Sequence, residues 1–338
     1  MKIKSRFLKV SFLSLAVGFS LTACGGVSPE APKDVVLKFK EGIRDLRAAD
    51  LRVDAVMVSA DDKDNMDLNV SVGAKFDRRD GEDRKGNLKL KLNGKLAAAG
   101  KVLDGDLDLD LRTIGDSFYF NVAKMDSTDP NMAKYKEVIE GYRNKWLHLS
   151  NDFVPDSLKQ LQKKDEKALE REKRLMDLFV DTNLFEVNKE FGIESLNGKK
   201  VYHYGVKMSE DGLKEYVRKA AQIDGREMSD AEVEQAAAFA KTVSNMELWI
   251  GAKDYYLYKG VASLSGASPE NGVKSDVTLN YVGNSYNEDP KVTSPENPEE
   301  FNPVTLMMQL QLLAPKEEPK PEAEVEIPAS EDKVPAKK

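Results

Sequence analysis

Residues 88–111 read LKLKLNGKLAAAGKVLDGDLDLDL, and the leucines alternate with lysines in the first half and with aspartates in the second. Side chains of a β-strand point alternately to the two faces of the sheet. Strict alternation therefore places the leucines of residues 88–92 and 107–111 on one face and the charges on the other. The stretch predicts two strands of an antiparallel sheet with one buried face and one wet face.

The same alternation continues on both sides of this stretch. Residues 51–57 and 68–76 precede it, and Phe118, Phe120 and Val122 follow it. The series predicts a long meander of antiparallel strands joined by hairpins. Its turns are predicted at three glycine-containing pairs: Asp80-Gly81, Asn93-Gly94 and Asp104-Gly105.

A second strand-rich block follows after residue 183. A strand over residues 185–193, the turn pair Asn197-Gly198 and a strand over residues 200–208 predict a hairpin. Two helices are expected next, and Ser229 with Glu232 forms a capping box at the start of the second. Three further strands are predicted over residues 246–250, 255–264 and 273–282.

The remaining predicted elements include three helices and one short strand, and the first helix is predicted from the helical spacing of its apolar residues. Residues 34–49 place Val35, Val36, Phe39, Ile43 and Leu46 on one face. Residues 131–142 and 301–313 are expected to be short helices, and residues 146–149 a short strand. One-sided strands need helices to cover their apolar face, so the sequence predicts an α+β fold.

The N-terminus has the pattern of a secretory signal. A cationic head with Lys2, Lys4, Arg6 and Lys9 precedes the apolar residues 10–19, which are too few to span a bilayer. Leu21-Thr22-Ala23-Cys24 resembles the lipobox of bacterial lipoproteins. That resemblance implies a diacylglyceryl group on the Cys24 sulfur, cleavage before Cys24 and a stable membrane anchor once acyl chains are added.

Composition excludes several classes of function. The formal net charge of -7 at pH 7 disfavours a nucleic-acid partner, which needs a basic surface. Cys24 is the only cysteine, so the chain has no intramolecular disulfide, no cysteine zinc cluster and no other thiol for catalysis. The sequence contains no nucleophile elbow, phosphate-binding glycine loop or HExxH motif. We therefore expect no enzyme and no cofactor.

The two histidines, His148 and His203, each lie in a strand pattern beside aromatic residues. A metal pair would need a third ligand that the sequence does not nominate. We therefore expect structural or surface histidines and no metal site.

Four segments in this order resemble the LppX/LprG-type lipoproteins of mycobacteria and the broader LolA/LolB-like group. They are SFYFNVAK at 117, NKWLHL at 144, LNGKKVYHYGVKMSEDGLKEYVRK at 196 and MELWIGAKDYYLYKGVASL at 246. The resemblance spans residues 34–282. It implies a curved antiparallel β half-barrel with helices packed on its concave face, and a cavity between them that binds acyl chains.

Aromatic residues in the strands are the candidates for the wall of that cavity. A cavity wall and an ordinary core look identical in sequence, so both interpretations stay open. The candidate ligand residues are Phe118, Phe120, Tyr202, Tyr204, Tyr256 and Tyr258.

The expected organisation has four parts: a signal peptide over residues 1–23, a lipidated tether over 24–33, a LolA/LppX-like domain over 34–313 and a disordered tail over 314–338. A charged helical insertion is expected near residues 155–180. The leading hypothesis is a lipoprotein on the outer side of the cell membrane or in the outer membrane, anchored through Cys24, that binds or carries a lipid. The alternative is an envelope structural or interaction lipoprotein without a ligand cavity, with an envelope protein as its partner.

Overall fold

The computed structural model describes residues 30–60, 65–79, 84–98, 101–129, 135–153, 166–267 and 274–313. These residues form twelve strands and six α-helices. The strands are β1 (Ala48–Ala60), β2 (Asn65–Asp77), β3 (Lys85–Ala98), β4 (Lys101–Ile114), β5 (Ser117–Ser127), β6 (Leu147–Leu149), β7 (Phe185–Leu196), β8 (Lys199–Met208), β9 (Val243–Gly251), β10 (Leu257–Ala267), β11 (Lys274–Tyr286) and β12 (Glu299–Phe301). The helices are α1 (Pro32–Arg44), α2 (Lys136–Glu140), α3 (Glu166–Asp181), α4 (Glu210–Ile223), α5 (Asp230–Thr242) and α6 (Pro303–Leu313).

All twelve strands belong to one sheet in the order β12-β6-β5-β4-β3-β2-β1-β11-β10-β9-β8-β7. Every pairing is antiparallel except that of the three-residue strands β12 and β6. The sheet is open, because β12 and β7 are its two edges and do not pair with each other. The predicted α+β fold on an antiparallel sheet is confirmed.

Strands β1 and β11 join the two predicted meanders into this single sheet. Their pairing runs from Ala49 opposite Tyr286 to Ala60 opposite Lys274. At one end of the pair, the side-chain oxygen of Asn287 accepts hydrogen bonds from the backbone N–H groups of Arg47 (2.9 Å) and Ala48 (3.2 Å). These contacts join residues that lie more than 200 positions apart in the chain.

Strand register aligns the apolar residues of successive strands on one face, called here the inner face. Directly opposed residues of an antiparallel pair lie on the same face of the sheet. One row of the inner face crosses six strands, from β5 to β11, and its members are Val122, Leu109, Leu90, Val72, Val53 and Tyr281.

Helix α1 covers the inner face at the β7–β9 end of the sheet. Val35 and Phe39 of α1 are buried in one cluster with Tyr202, Tyr204 and Ile250 of β8 and β9. Helices α3, α4 and α5 continue this layer. Helix α3 lies between α1 and α4 and contacts both of them. Helix α5 contacts α4 and packs on strands β8, β9 and β10. Among the residues described, no helix has the length and apolar character needed to cross a membrane.

The opposite face of β3 and β4, part of the outer face, carries a ladder of ion pairs. Lys91 and Asp108 lie 2.8 Å apart between these strands, and Asp106 pairs with Lys124 of β5 at 2.7 Å. Exposed pairs contribute at most about 1 kcal/mol each. Their larger effect is on register, because a one-residue slip would bring leucines to the outer face and charges to the inner face.

Two of the predicted hairpin turns are wrong. Gly94 and Gly105 face each other inside β3 and β4, and the pairing continues beyond them to Ala98 and Lys101. A Cβ at position 94 would lie 2.4 Å from the carbonyl oxygen of Asp67 and 2.9 Å from the Cα of Leu68. Glycine is therefore needed at position 94 for close approach of β2, and not for a turn. Asp80-Gly81 lies outside the described residues.

Helix boundaries also differ from the predictions. The first helix begins at Pro32, inside the predicted tether, and ends at Arg44, so that Ala48 and Ala49 belong to β1. Pro occupies the first helical turn, where its missing N–H costs nothing. The helix predicted over residues 131–142 is described only as Lys136–Glu140. In the predicted insertion, the described part is α3, and the signal, most of the tether and the tail lie outside the described residues.

Candidate functional site

The central inner face of β2, β3 and β4 presents aliphatic side chains that the helices at the β7–β10 end do not bury. These residues lie in register across the three strands and are called the leucine face. None of them is buried, and Leu88 is 39% exposed. The leucine face consists of Leu68, Val70, Val72, Leu88, Leu90, Leu92, Leu107, Leu109 and Leu111.

The same face of the sheet is closed at its other end. Tyr202, Tyr204 and Leu248 have exposures of 2%, 3% and 7% beneath α1. Desolvation there raises the pKa of Tyr204 to about 12. One continuous apolar surface is thus packed at one end and accessible at the other, although the strand pattern is alike at both. A contiguous apolar surface that stays accessible to solvent is typical of a binding surface.

A cavity of about 700 Å³ lies where the leucine face meets helix α2. Leu92, Leu107 and Met125 line it from the sheet, and Ile139 lines it from α2. Cavities that hold small ligands span about 300–1,000 Å³ and are mostly apolar with a few polar groups. This cavity therefore has the size and the apolar wall for one chain of a lipid.

The rim of the cavity is charged. Lys136 at the start of α2 lines it together with Asp104, Asp106 and Asp126, and the carboxylate of Asp106 points to the outer face of the sheet, where it pairs with Lys124. Hydrogen bonds from Lys124 and Asn93 hold the pKa of Asp106 below its usual range. The site therefore joins an aliphatic wall to a charged edge, which is the pattern that an amphiphilic ligand requires.

The structure does not bring the six candidate aromatic residues together. Phe118 and Phe120 lie on β5 opposite Leu149 and Leu147, and Phe120 packs edge-on against Phe301, with ring centroids 4.9 Å apart. They are therefore on the inner face beside the leucine face. None of the six lines the cavity at α2.

The four tyrosines belong to two separate packed clusters. Tyr202 and Tyr204 belong to the buried cluster under α1. Tyr258 packs with Val201 and Trp249 on the outer face, and Tyr256, in the turn before β10, packs against this cluster. All four lie in packed clusters, which favours the core interpretation over the cavity-wall interpretation for them.

The two histidines are far apart in the sheet, on β6 and β8, and each contacts carboxylates. His148 Nδ1 lies 2.7 Å from Oε1 of Glu300. His203 is 6% exposed and stacks between Phe191 and Trp249, with ring centroids 4.1 and 4.0 Å apart. Within the described part of the chain, no cluster of three metal-ligating side chains is present.

A second accessible apolar surface is helix α6, whose sequence PVTLMMQLQLL contains no charged residue. Met307, Met308 and Leu312 are 58%, 61% and 86% exposed. The helix lies against α2, and Tyr142 Oη donates a 3.3 Å hydrogen bond to Gln309 Oε1. The sequence predicts an amphipathic helix here, but none of the helix's residues is buried.

Lys136, Ile139 and Met125 were not nominated from the sequence as ligand residues. Met125 lies beyond a bulge between Asp108 and Leu109 that restores it to the inner face opposite Leu107. The sequence predicts a helix over residues 131–142, but it does not indicate which strands that helix packs against. The one available signal was the leucine alternation itself, which identifies the wall of the site but not what covers it.

Comparisons with known proteins give matches only among solved structures. No family model matches the chain, and no curated protein matches its sequence. The structure search matches lipoprotein LppX of Mycobacterium tuberculosis at 10% identity and a TM-score of 0.30, covering 78% of this chain and 100% of that one.

Two further matches have similar values. A putative outer membrane lipoprotein-sorting protein domain from Vibrio parahaemolyticus has 8% identity and a TM-score of 0.20, covering 80% of this chain and 97% of its own. A β-barrel-like protein of unknown function from Brucella abortus has 6% identity and a TM-score of 0.25, covering 71% and 100%. The matches thus include the lipoprotein groups that the sequence resembles, while the site and its function are argued from this chain's own residues.

Proposed function

We propose that this chain is a membrane-anchored lipoprotein of the bacterial envelope that binds an apolar ligand, such as a lipid acyl chain, on the leucine face. The observation that carries the proposal is the accessible aliphatic surface that continues into the cavity at Leu92, Leu107 and Met125. Burying apolar surface is favourable by about 25 cal/mol per Å². An acyl chain lying on this surface would gain that free energy without any catalytic group.

The anchor belongs to the same proposal. The lipobox pattern that ends at Cys24 supports attachment to a bilayer, and Cys24 precedes Glu30 by six positions in the sequence. Six residues reach at most about 22 Å. A domain held at that distance is within reach of the lipids that it would bind, whether in the cell membrane or in the outer membrane.

Leu88 and Val56 provide a matched test, because both are 39% exposed but lie on opposite faces of the sheet. We expect the full chain carrying Cys24→Ser to enhance the fluorescence of diphenylhexatriene, a neutral apolar probe. Leu88→Asn should weaken that binding several-fold, and Val56→Asn should leave it unchanged. A chain that never enhances the fluorescence, or equal losses in both variants, would contradict the proposal.

The exposure of helix α6 favours a second candidate function, that of an interaction lipoprotein that contacts an envelope protein. Charge-free exposed apolar side chains such as Met307 and Met308 are typical of protein contact surfaces. The test is cross-linking in intact cells with the double variant Met307→Glu/Met308→Glu, and with Phe239→Glu, at a 49% exposed site on α5, as its control. Loss of a defined cross-link in the double variant alone supports this function, and an unchanged cross-linking pattern contradicts it.

A further inference from the structure

Lys136 differs from the other charged groups at the rim of the cavity. It lines the cavity from the first residue of α2, and its side chain is exposed. Among the described residues it has no ion-pair or hydrogen-bond partner. Its ammonium group therefore stands at the edge of an apolar cavity with its charge uncompensated.

The three aspartates that line the same cavity have carboxylates already paired with cations that do not line it. The side chains of Asp104 and Lys95 lie 3.6 Å apart, those of Asp106 and Lys124 2.7 Å, and those of Asp126 and Arg143 3.3 Å. Each of these pairs connects neighbouring strands or connects β5 with the residues after α2. The local charge that remains for a ligand is therefore the positive charge of Lys136.

We propose that Lys136 contacts the headgroup of the bound ligand, and that this ligand carries an anionic group, a carboxylate or a phosphate, at one end of its apolar chain. The inference rests on the proposed function and adds the chemical class of the ligand. The chain lies against Leu92, Leu107, Met125 and Ile139, and the anionic oxygens lie at the mouth of the cavity, where they accept hydrogen bonds from Lys136 Nζ.

A neutral ligand of equal length provides the comparison that tests this inference. Palmitate and hexadecanol carry the same apolar chain and differ in the charge of the end group. Both are titrated against diphenylhexatriene bound to the full Cys24→Ser chain, at concentrations below micelle formation. We expect palmitate to displace diphenylhexatriene at a concentration roughly two- to fivefold lower than hexadecanol does, as for one exposed charge-assisted contact.

Variants of Lys136 connect this preference to the residue. Lys136→Met should raise the palmitate concentration needed for displacement roughly two- to fivefold and leave that of hexadecanol unchanged, whereas Lys136→Arg should keep the preference. The control is Lys253→Met, an exposed lysine in the turn between β9 and β10, which should change neither value. Lysophosphatidylglycerol in place of palmitate distinguishes a phospholipid headgroup from a free carboxylate.

The outcomes separate this inference from the proposed function. Equal displacement by the anionic ligands and hexadecanol, or a preference that survives Lys136→Met, overturns the role of Lys136 and leaves apolar binding in place. Failure of diphenylhexatriene to bind the unaltered site overturns both. Loss of both palmitate and hexadecanol in Lys136→Met, with an unchanged circular dichroism spectrum, also contradicts a contact specific to the headgroup.

Discussion

The indole Nε1 of Trp249 donates a 3.2 Å hydrogen bond to Oε2 of Glu194, linking β9 to the edge strand β7 across β8. His203 of β8 lies between them, with Nδ1 2.7 Å from Oε1 of Glu194. Lys259 lies over the Trp249 ring, 4.2 Å from its centroid. This outer-face network holds the edge strand on the sheet and makes Glu194 the residue whose titration bears on the stability of that edge.

Glu194→Gln should make stability less sensitive to acid. Hydrogen bonds from His203 and from Trp249 lower the pKa of Glu194 below its ordinary 4.5. A carboxyl group with a lower pKa in the folded state stabilises the fold above its unfolded pKa, and this stabilisation is lost as pH falls through the folded pKa. In urea unfolding followed at neutral pH and below pH 4.5, the variant should lose less free energy than the original chain. Glu227→Gln, in the exposed loop between α4 and α5, should keep the original pH dependence.

Lys40→Met should destabilise the contact between α1 and the end of α3. Lys40 is 5% exposed, and its Nζ donates hydrogen bonds to the carbonyl oxygens of Thr182, at 2.9 Å, and of Val180. Burial lowers the pKa of Lys40, because desolvation disfavours the charged ammonium group. Part of the free energy gained from the two hydrogen bonds therefore offsets this desolvation cost. We expect a loss of about 2 kcal/mol in the free energy of unfolding, since two carbonyls lose their donor. Lys33→Met, on the same helix but exposed, should change it by less than about 0.5 kcal/mol.

Phe39→Ala tests whether α1 is the element that closes the inner face at the β7–β9 end. Phe39 is 4% exposed and lies in the cluster with Tyr204 and Ile250. Removing a buried aromatic ring costs about 3–5 kcal/mol, because it leaves a cavity that the surroundings only partly fill. The matched control is Leu37→Ala on the same helix, 43% exposed, with an expected loss below about 1 kcal/mol. Similar losses in thermal or urea unfolding of both variants would contradict the packing of Phe39 against Tyr204 and Ile250.

Gly94→Ala should destabilise the sheet although alanine is small. The new methyl group would lie 2.4 Å from the carbonyl oxygen of Asp67, which is backbone and cannot rotate away. Overpacking of this kind costs about 1–3 kcal/mol. Gly73→Ala is the control in the neighbouring strand, where the nearest atom beyond the chain neighbours, Cβ of Lys89, is 3.7 Å away. We expect Gly73→Ala to be within about 1 kcal/mol of the original chain, and equal effects at the two sites would argue against the close approach at Gly94.

Local signals in the sequence predicted the elements that depend on neighbouring residues. Asn197 and Gly198 have φ angles of 49° and 79°, the left-handed turn that the pair predicts. Ser229 and Glu232 form both hydrogen bonds of the predicted capping box. The wrong turns at Gly94 and Gly105 have the opposite cause. Glycine is needed at these two positions because the backbone of a neighbouring strand approaches closely, and no pattern in the nearby sequence indicates that approach.

The candidate site could be predicted only in part, and the reason is physical. The alternation of apolar and polar residues identified Leu90 and Leu109 as members of one face. Leu248 stands in a similar strand pattern, but it is buried under α1. Whether a face is closed depends on which helix docks there. The docking of α1 depends on the packing of Val35 and Phe39 against residues that lie more than 150 positions away.

By itself, the sequence determined the one-sidedness of the strands, because the side-chain period of a strand is a local property of the backbone. It also carries the lipobox pattern at Cys24, which identifies the predicted anchor. Only the tertiary structure decided that β1 pairs with β11, that helices α1, α3, α4 and α5 lie at the β7–β10 end of the sheet, and that Lys136 stands beside the leucines of β3 and β4. These features arise from contacts between distant segments, whose free energy depends on complementary surfaces and not on the composition of either segment.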